Sequence, residues 1–475
     1  MIADLKPYAE YKESGLPWLG QVPASWQLRR AKFLFREVDE RSKTGKEEVL
    51  SVSHKTGVTP RSQKTVTMFL AESNVGHKIC RPQDLVINTL WAWMAALGVS
   101  MNTGIVSPAY GVYRPLTPGQ LLPRFADLLL RTSIYAAEYQ RRSTGVSSSR
   151  LRLYPEDFLR IPVLFPSAEE QAVILRFLDW ATGRLERAIR AKRKVIALLN
   201  EQKQAIIHRA VTRGLDPSVP LKPSGIPWLG DIPQHWVVRR LRTLVHDIDQ
   251  GVSPLAVGFL AEGNSWGVLK SGCVNRGVFR ETEHKQLARG FEIDPDIVVK
   301  VGDVLISRAC GSPKLVGSVG RVKSLRHQLI LSDKTFRARF RGSVNVDFMV
   351  FAMNCVYYRH QVERAISGAE GMANNLPLSA LRNFTFAVPP TNEATAISGY
   401  VESETAELQT VTARLEREIQ LLREYRTRLV ADVVTGKLDV REAAARLPDE
   451  APLDIAEDDD ALTDEAEVAD EELTE

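Results

Sequence analysis

Two stretches of the chain carry a helical spacing of apolar residues over an unusual length. In residues 389–439, Val401, Leu408, Leu415, Ile419, Leu422, Leu429 and Val433 fall on a three-and-four spacing, with Thr405, Thr412 and Arg426 filling the remaining places of the seam. Residues 166–216 align on this stretch without a gap at an offset of 223. There the seam reads Leu178, Thr182, Leu185, Ile189, Lys192, Ile196, Leu199, Lys203, Ile206 and Ala210. The spacing predicts two helices of roughly 40 residues, each about 60 Å long at about 1.5 Å per residue. Ser167 with Glu170 three residues later makes a capping box at the start of the first, which the second lacks, having Thr391 then Ala394. Gly214 and Gly436 stand where helix C-caps belong. A seam interrupted by Lys192 and Lys203 is too polar to be buried alone in a large core, and both copies share one register. The helices are therefore expected to pair as an antiparallel coiled coil, with independent surface helices as the alternative. Leu185, Ile189, Ile196, Leu199 and Ile206 would face Leu408, Leu415, Ile419, Leu422 and Leu429, leaving Arg190, Arg193, Glu416 and Glu418 in solvent.

A second repeat precedes each helix. Residues 14–30, from Ser14-Gly-Leu-Pro-Trp-Leu-Gly to Trp26 and Arg29-Arg30, return as residues 224–240 with ten of seventeen positions identical. Both tryptophans, both prolines, both glycines and the Arg-Arg pair are retained. Gly-x-Pro-Trp-Leu-Gly reads as a turn that presents a large ring, and Trp18, Trp26, Trp228 and Trp236 are taken as packing anchors.

Between these repeated elements lie two segments that do not resemble each other, 31–165 and 241–388, both rich in Val, Ile and Thr and punctuated by Gly and Pro. Residues 297–306 suggest two strands around a Gly-Asp turn, while Arg124 to Gln140 and Val346 to Ile366 suggest a helix late in each module. Trp91 and Trp93 would share one face of a strand, as core residues. The expected fold class is α+β: two mixed modules separated by two long helices, with an internal pseudo-two-fold repeat. Its parts are an N-terminal segment 1–30, a first module 31–165, a central helix 166–215, a linker 216–240, a second module 241–388, a distal helix 389–440 and an acidic tail 441–475.

Charge adds a partner to this picture. The chain has 62 Lys and Arg against 58 Asp and Glu, but fourteen of those acids and none of the bases fall in residues 449–475. The remainder carries 62 bases against 44 acids. Such an excess suits a polyanion, most economically nucleic acid, although a basic surface without a specific target would look the same. Apolar runs are too short for a membrane span and no secretory leader is evident, so a cytoplasmic location is expected. Four scattered cysteines without a Cys-x-x-Cys pair support neither a zinc site nor a disulfide framework, and are read as small buried apolar residues. The chain lacks the (Asn/Asp)-Pro-Pro-Tyr motif of an amino-methyltransferase, the phosphate loop of an NTPase and the His-Glu-x-x-His zinc motif; no catalytic or metal-binding residue is assigned. Asn374-Asn375-Leu376-Pro377 is read as a loop, and the glycines at 311, 317 and 320 as part of a hairpin turn.

The Gly-x-Pro-Trp-Leu-Gly-x-x-Pro-x-x-Trp units at 15–26 and 225–236, and the long helices beginning after Phe165-Pro166 and Val388-Pro389, resemble those of type I restriction-modification specificity subunits. Gly302-Asp-Val-Leu-Ile-Ser-Arg308, Asp84-Leu-Val-Ile-Asn88 running into Trp91-Ala-Trp93, and Gly104-Ile-Val-Ser-Pro-Ala-Tyr110 are similar to segments of the same family. The resemblance covers nearly the whole chain except the acidic tail. It implies two target recognition domains reading an asymmetric bipartite site on double-stranded DNA, and helices that dock two methyltransferase subunits, joined by restriction subunits. Adenine methylation and cleavage would belong to those partners, with S-adenosylmethionine, ATP and magnesium bound there and none by this chain. The alternatives are a modification-only system without cleavage, a coiled-coil assembly scaffold whose modules bind proteins, and, against the missing motifs, a self-sufficient methyltransferase or nuclease.

Arg suits guanine and Asn adenine in the major groove, so polar residues of the modules are the candidate DNA contacts. In the first module these are Arg61, Lys64, Asn88, Arg142, Ser147, Ser148 and Arg150, and in the second Lys270, Asn275, Arg276, Arg308, Lys314, Lys334 and Asn374. The tail after Pro448 is acidic, poor in aromatics and expected to be disordered. Competing with DNA for the basic body would discourage non-specific binding. Deleting residues 449–475 is then expected to raise non-specific DNA affinity, more at low salt than at high, in a titration of the purified chain; unchanged affinity rejects the idea.

Overall fold

Both long helices form, as Ala168–Arg213 (46 residues) and Thr391–Val434 (44 residues). In the computed structural model, which describes residues 5–63, 73–145, 151–226, 228–275, 277–288, 290–367 and 374–448, the fold is mixed α+β. Val401, Thr405, Ile419, Leu429 and Val433 are buried, and Leu408, Thr412, Leu415, Leu422 and Arg426 half-buried, so the distal seam is set by its spacing. In the central helix Leu178, Leu185, Ile189 and Ala210 are buried, while Lys192, Ile196, Leu199, Lys203 and Ile206 are half-buried.

The described residues divide into two units: one holds those up to Lys192 together with those from Arg417 to Pro448, and the other holds Arg193–Glu416. Each long helix contributes one half to each unit. In the first unit Lys192 Nζ lies 2.5 Å from Glu418 Oε2, and Arg426 pairs with Glu186. Glu418 is thus half-buried against a lysine of the seam instead of standing in solvent. In the second unit Ile207, Ala210 and Val211 share a core with Ala394, Ile397 and Val401. No acid pairs with Lys203 among the described residues, and burial pulls its ammonium below the ordinary lysine range.

Each unit is built on one frame. In the first, the hairpin Tyr11–Glu13/Gln21–Pro23 leads to strand Gln27–Arg30, which pairs antiparallel with Pro162–Phe165 at the entry to the central helix. In the second, Leu221–Pro223/Asp231–Pro233 leads to Val237–Arg240, paired with Thr385–Val388 at the entry to the distal helix. The hairpin turns need glycine at Gly20 and Gly230, where φ is +64° and +70°. Trp26 and Trp236 are buried, and the indole Nε1 of each donates at 3.1 Å to a carboxylate in the first turn of the helix that follows: Glu170 for Trp26, Glu393 for Trp236. The same ring meets the C-terminal glycine of the other long helix. Gly436 packs on Trp26 and Pro23, and Gly214 on Trp236, with φ of +77° and +72°. Only half of the expected capping box forms: Glu170 N donates to Ser167 Oγ at 3.3 Å, while the Glu170 carboxylate accepts from Tyr8 Oη at 2.7 Å and Trp26.

The first module carries a four-stranded antiparallel sheet in the order Phe35–Glu37, Gly111–Pro115, Leu85–Ile87, Leu97–Val99. The second carries six strands, beginning Val245–Gln250, Thr335–Phe340, Val304–Ser307, Val319–Arg321, and a separate four-stranded sheet. Despite unlike sheets, both modules close with a broken helical pair. The predicted helices at Arg124 to Gln140 and Val346 to Ile366 are each two: Pro123–Leu130 with Ser133–Arg142, and Val346–Ala352 with Val356–Ala365. Thr132 Oγ1 bonds back to Leu129 O in one break, and Asn354 Nδ2 donates to Val319 O and Val350 O in the other. Residues 297–306 do not form a hairpin. Val298 bridges Ile330, Gly302 turns the chain at φ +97°, and only Val304–Ser307 enters the large sheet.

Two further expectations change. Ala92–Met94, with Trp91 as its N-cap, is a turn of 3-10 helix instead of a strand. The tail begins later than residue 441, since helix Arg441–Ala445 places Ala444 and Leu447 in the first unit's core. Residues 449–475 lie outside the described residues. Cys80, Cys273 and Cys355 are buried free thiols and Cys310 is half-buried; burial pushes the Cys273 thiol up to about 12. Among the described residues no helix is long and apolar enough to cross a membrane.

The junction makes a direct prediction. Glu393→Ala leaves the buried indole N–H of Trp236 without its acceptor and should cost about 1–3 kcal/mol, read as a shift in chemical denaturation midpoint. Glu393→Gln keeps an acceptor and should cost less; an alanine variant as stable as the parent would contradict the assignment.

Candidate nucleic-acid interface

Many of the chain's cations are held internally, which decides which of them remain for a partner. In the first module Arg114 fills its guanidinium with Asp84 at 2.9 Å and Glu40 at 2.9 Å. In the second, Arg337, 2% exposed, is bound by Asp249 at 2.8 Å, Asp303 at 3.2 Å and Val298 O at 2.8 Å. A buried guanidinium needs such partners, since an unpaired buried charge costs several kcal/mol. These arginines hold sheets together.

Three candidates of the first module meet the same test differently. Asn88 is buried; its Nδ2 donates to Tyr110 Oη at 3.0 Å and its Oδ1 accepts from Leu90 N at 3.3 Å. Both ends of its amide are thus engaged inside the module, where it shapes a turn. Arg142, with Arg141, neutralises the buried Glu138, which Arg142 Nε meets at 2.5 Å. Burial would raise the Glu138 carboxyl, but the two guanidinium bonds outweigh it and hold it below the usual range. Arg61 is half-buried at the edge of a hairpin and acts electrostatically on Tyr110, whose phenol burial pushes up. Lys64, Ser147, Ser148 and Arg150 lie outside the described residues.

Around Arg61 and Asn88 the fold gathers residues that sequence patterns did not single out as contacts. Arg152 Nε donates to Thr89 Oγ1 at 3.4 Å, its guanidinium lies 5.7 Å from the Tyr154 ring, and Leu153 N donates to Thr89 O. Trp91 and Trp93 are half-exposed with rings 6.4 Å apart and near parallel at 19°. The alternating Trp-Ala-Trp spacing mimics a strand. The Trp91 carbonyl, however, accepts from both Met94 N and Ala96 N, which winds the segment into a turn and sets both rings on one surface.

In the second module strand Ala309–Cys310 pairs with Asn374–Asn375 and runs beside the turn Ser271–Cys273, so Lys270, Arg308, Lys334 and Asn374 come together. Lys334 is exposed and Lys270 half-buried. Arg308 is committed internally, donating to Asp333 O at 2.8 Å with its guanidinium 5.8 Å from the Phe336 ring. Asn374, expected in a loop, sits in a two-residue strand and donates to Gly311 O at 3.0 Å. Asn275 is half-buried and its Oδ1 has no hydrogen-bond partner among the described residues. Lys314 stands apart in a loop stapled by Arg359, which donates to Pro313 O, Lys314 O and Val316 O. Those carbonyls face a cation, and the amides of Leu315, Gly317 and Ser318 donate to Ser312 O, Ser307 O and Leu315 O. Gly317 turns it into strand Val319–Arg321. Arg276 lies outside the described residues.

Of the fourteen candidate contacts, Asn88 and Arg142 thus have structural work. Asn88→Ala is expected to lower stability by about 1–2 kcal/mol in thermal unfolding while leaving DNA binding, measured by titration, unchanged.

No family model matches the chain. It is 22% identical over 375 residues to the type I restriction enzyme EcoKI specificity subunit of Escherichia coli K12, covering 75% of each chain. It is 25% identical over 200 residues to the EcoEI specificity subunit of Escherichia coli, 42% of this chain and only 33% of that subunit. A chain solved in a study of complex assembly and conformational transition of the type I R-M system aligns with a TM-score of 0.54 at 16% identity, over 88% of this chain and 99% of that one. Over 75% of its length the chain is similar in sequence to a type I restriction enzyme specificity subunit, and in fold it is similar to a chain of the type I R-M system.

Proposed function

We propose that this chain is the DNA-recognition subunit of a type I restriction-modification complex, and that it carries no active site of its own. Residues 31–165 and 241–388 each read one half of an asymmetric bipartite site, while the long helices pair as an antiparallel coiled coil that sets the spacer and docks two methyltransferase subunits. Adenine methylation and restriction fall to those partners, which bind S-adenosylmethionine, ATP and magnesium. The observation that carries this reading is one frame used twice around unlike insertions. Trp26–Glu170 and Trp236–Glu393 repeat, as do the strand pairs that close each module, yet the sheets between them differ in strand number and order. A reader of two different short sequences needs that combination, because docking geometry is shared and base contacts are not. Kinship to the EcoKI and EcoEI subunits, and the Lys192–Glu418 and Arg426–Glu186 pairs between the helices, add support.

The test is co-expression with the cognate methyltransferase subunit in a methylation-free host, followed by long-read mapping of modified bases. A two-part motif is expected, its first half changing when residues 31–165 are exchanged and its second when 241–388 are exchanged. Weak, salt-insensitive DNA binding and no mapped motif would favour a protein scaffold instead.

A further inference from the structure

The two repeated segments allow a comparison within one chain between what has stayed the same and what has diverged. Most positions retained between 14–30 and 224–240 have work inside their own unit. Trp26 and Trp236 form the helix junctions, Pro23 and Pro233 are buried beside them, and Leu19 and Leu229 are buried. Ser14 and Ser224 each accept the amide two residues on, at 3.1 Å. The glycines at 15, 20, 225 and 230 all have positive φ. Trp18 packs 5.3 Å from Tyr135, and Trp228 lies under the Arg364 guanidinium. Pro17 is set aside, since Pro227 lies outside the described residues.

The Arg-Arg pair has no such internal role. Arg29 and Arg30 end the strand Gln27–Arg30, and Arg239 and Arg240 end Val237–Arg240, with the same sequence of burial along both strands and all four side chains exposed. Their registers match: Arg30 stands opposite Pro162 and Arg29 opposite Val163, as Arg240 stands opposite Thr385 and Arg239 opposite Phe386. None of the four has an ion pair or a side-chain hydrogen bond among the described residues, in contrast to Arg114, Arg142, Arg308 and Arg337. Two positions further on, Lys32 is matched by Arg242, again a cation and again exposed, whereas the exposed Phe33 is matched by Thr243. Positive charge has been kept at three positions per half and the apolar neighbour has not. An interface with a protein would be expected to keep an aromatic or apolar centre, whereas a phosphate backbone asks only for the charge. A phosphate is also the same ligand in every DNA sequence. The base-reading parts of two modules must diverge when their half-sites diverge, while a backbone contact has no reason to.

We propose that Arg29, Arg30 and Lys32 in one unit, and Arg239, Arg240 and Arg242 in the other, are two copies of one sequence-independent contact to the DNA backbone. This rests on the DNA-recognition reading above. Each copy holds the duplex beside its module and leaves base discrimination to the module itself.

The test uses the complex with its methyltransferase subunits and duplexes with and without the mapped motif, recording affinity between 50 and 200 mM salt. Each neutralised phosphate contributes about 0.9 to the slope of log affinity against log salt. Arg29→Ala with Arg30→Ala should therefore flatten the slope by roughly 1–2 and reduce the salt-induced loss over that range by up to about tenfold. Arg239→Ala with Arg240→Ala should do the same, on both duplexes alike and without altering the methylated motif. Lysine at all four positions should restore the slope, since charge alone is required. An unchanged slope overturns the proposal, and where the methyltransferase subunit is lost with it the patch is a protein dock. A parent complex that binds both duplexes equally would instead sink the specificity reading, leaving the slope comparison to judge the backbone contact on its own.

Discussion

The contact on which the frame of each unit depends is an indole N–H given to a glutamate carboxylate at the start of a long helix, 3.1 Å away in both copies. The carboxylate is favoured there twice, by the partial positive charge of the helix N-terminus and by the N–H it receives. The indole is large and buried, so it can meet several elements at once. One face of the problem is solved by the glutamate of the helix that begins, and another by the glycine of the helix that ends, whose missing side chain leaves space for the ring. The strand that follows each tryptophan then leaves in a fixed direction and returns through a module of any topology to a fixed partner strand. Because that exit and entry are held by the junction, the sheets between them are free to differ.

This arrangement sorts the chain's positive charges into two kinds. Within the modules, arginines on or near sheet strands are neutralised by acids or carbonyls distant in sequence, as Arg114 is by Asp84 and Glu40 and Arg337 by Asp249 and Asp303. Desolvation makes those pairs obligatory and removes them from any count of charge available to a polyanion. Each such pair takes one base and one acid together and leaves the excess of bases unchanged, so that excess lies with cations outside these pairs, among them the arginines at the exposed strand ends.

Much of the architecture was legible in the sequence because its determinants are local and periodic. The seam from Val401 to Val433 follows directly from spacing, and the duplicated tryptophan units announce themselves by identity. Breaks within helices were not legible: the apolar rhythm runs on through Arg131–Thr132 and Met353–Cys355, and the backbone stops because side chains bond across it. Trp91 and Trp93 misled for a related reason, since a two-residue spacing is shared by a strand and by a tight turn. Candidate contacts were the least legible part. Whether Asn88 or Arg308 is free depends on Tyr110 and Asp333, more than twenty residues away, and on no local pattern. The Arg-Arg repeat was visible as text, but only register and exposure separate it from the buried positions retained alongside it.

In the first unit, residues 5–26 are clasped by residues 435–447: Lys6 bridges Asp439, Tyr11 Oη donates to Gly436 O, and the Arg441 guanidinium lies 5.0 Å from the Tyr8 ring. Among the described residues the second unit has no such late-arriving piece, being drawn from the stretch Arg193–Glu416. A ribosome therefore releases every described part of the second unit before it releases the clasp of the first. The half that is translated earliest is the half that matures last, and until then its tryptophan junction stands open to chaperones and proteases.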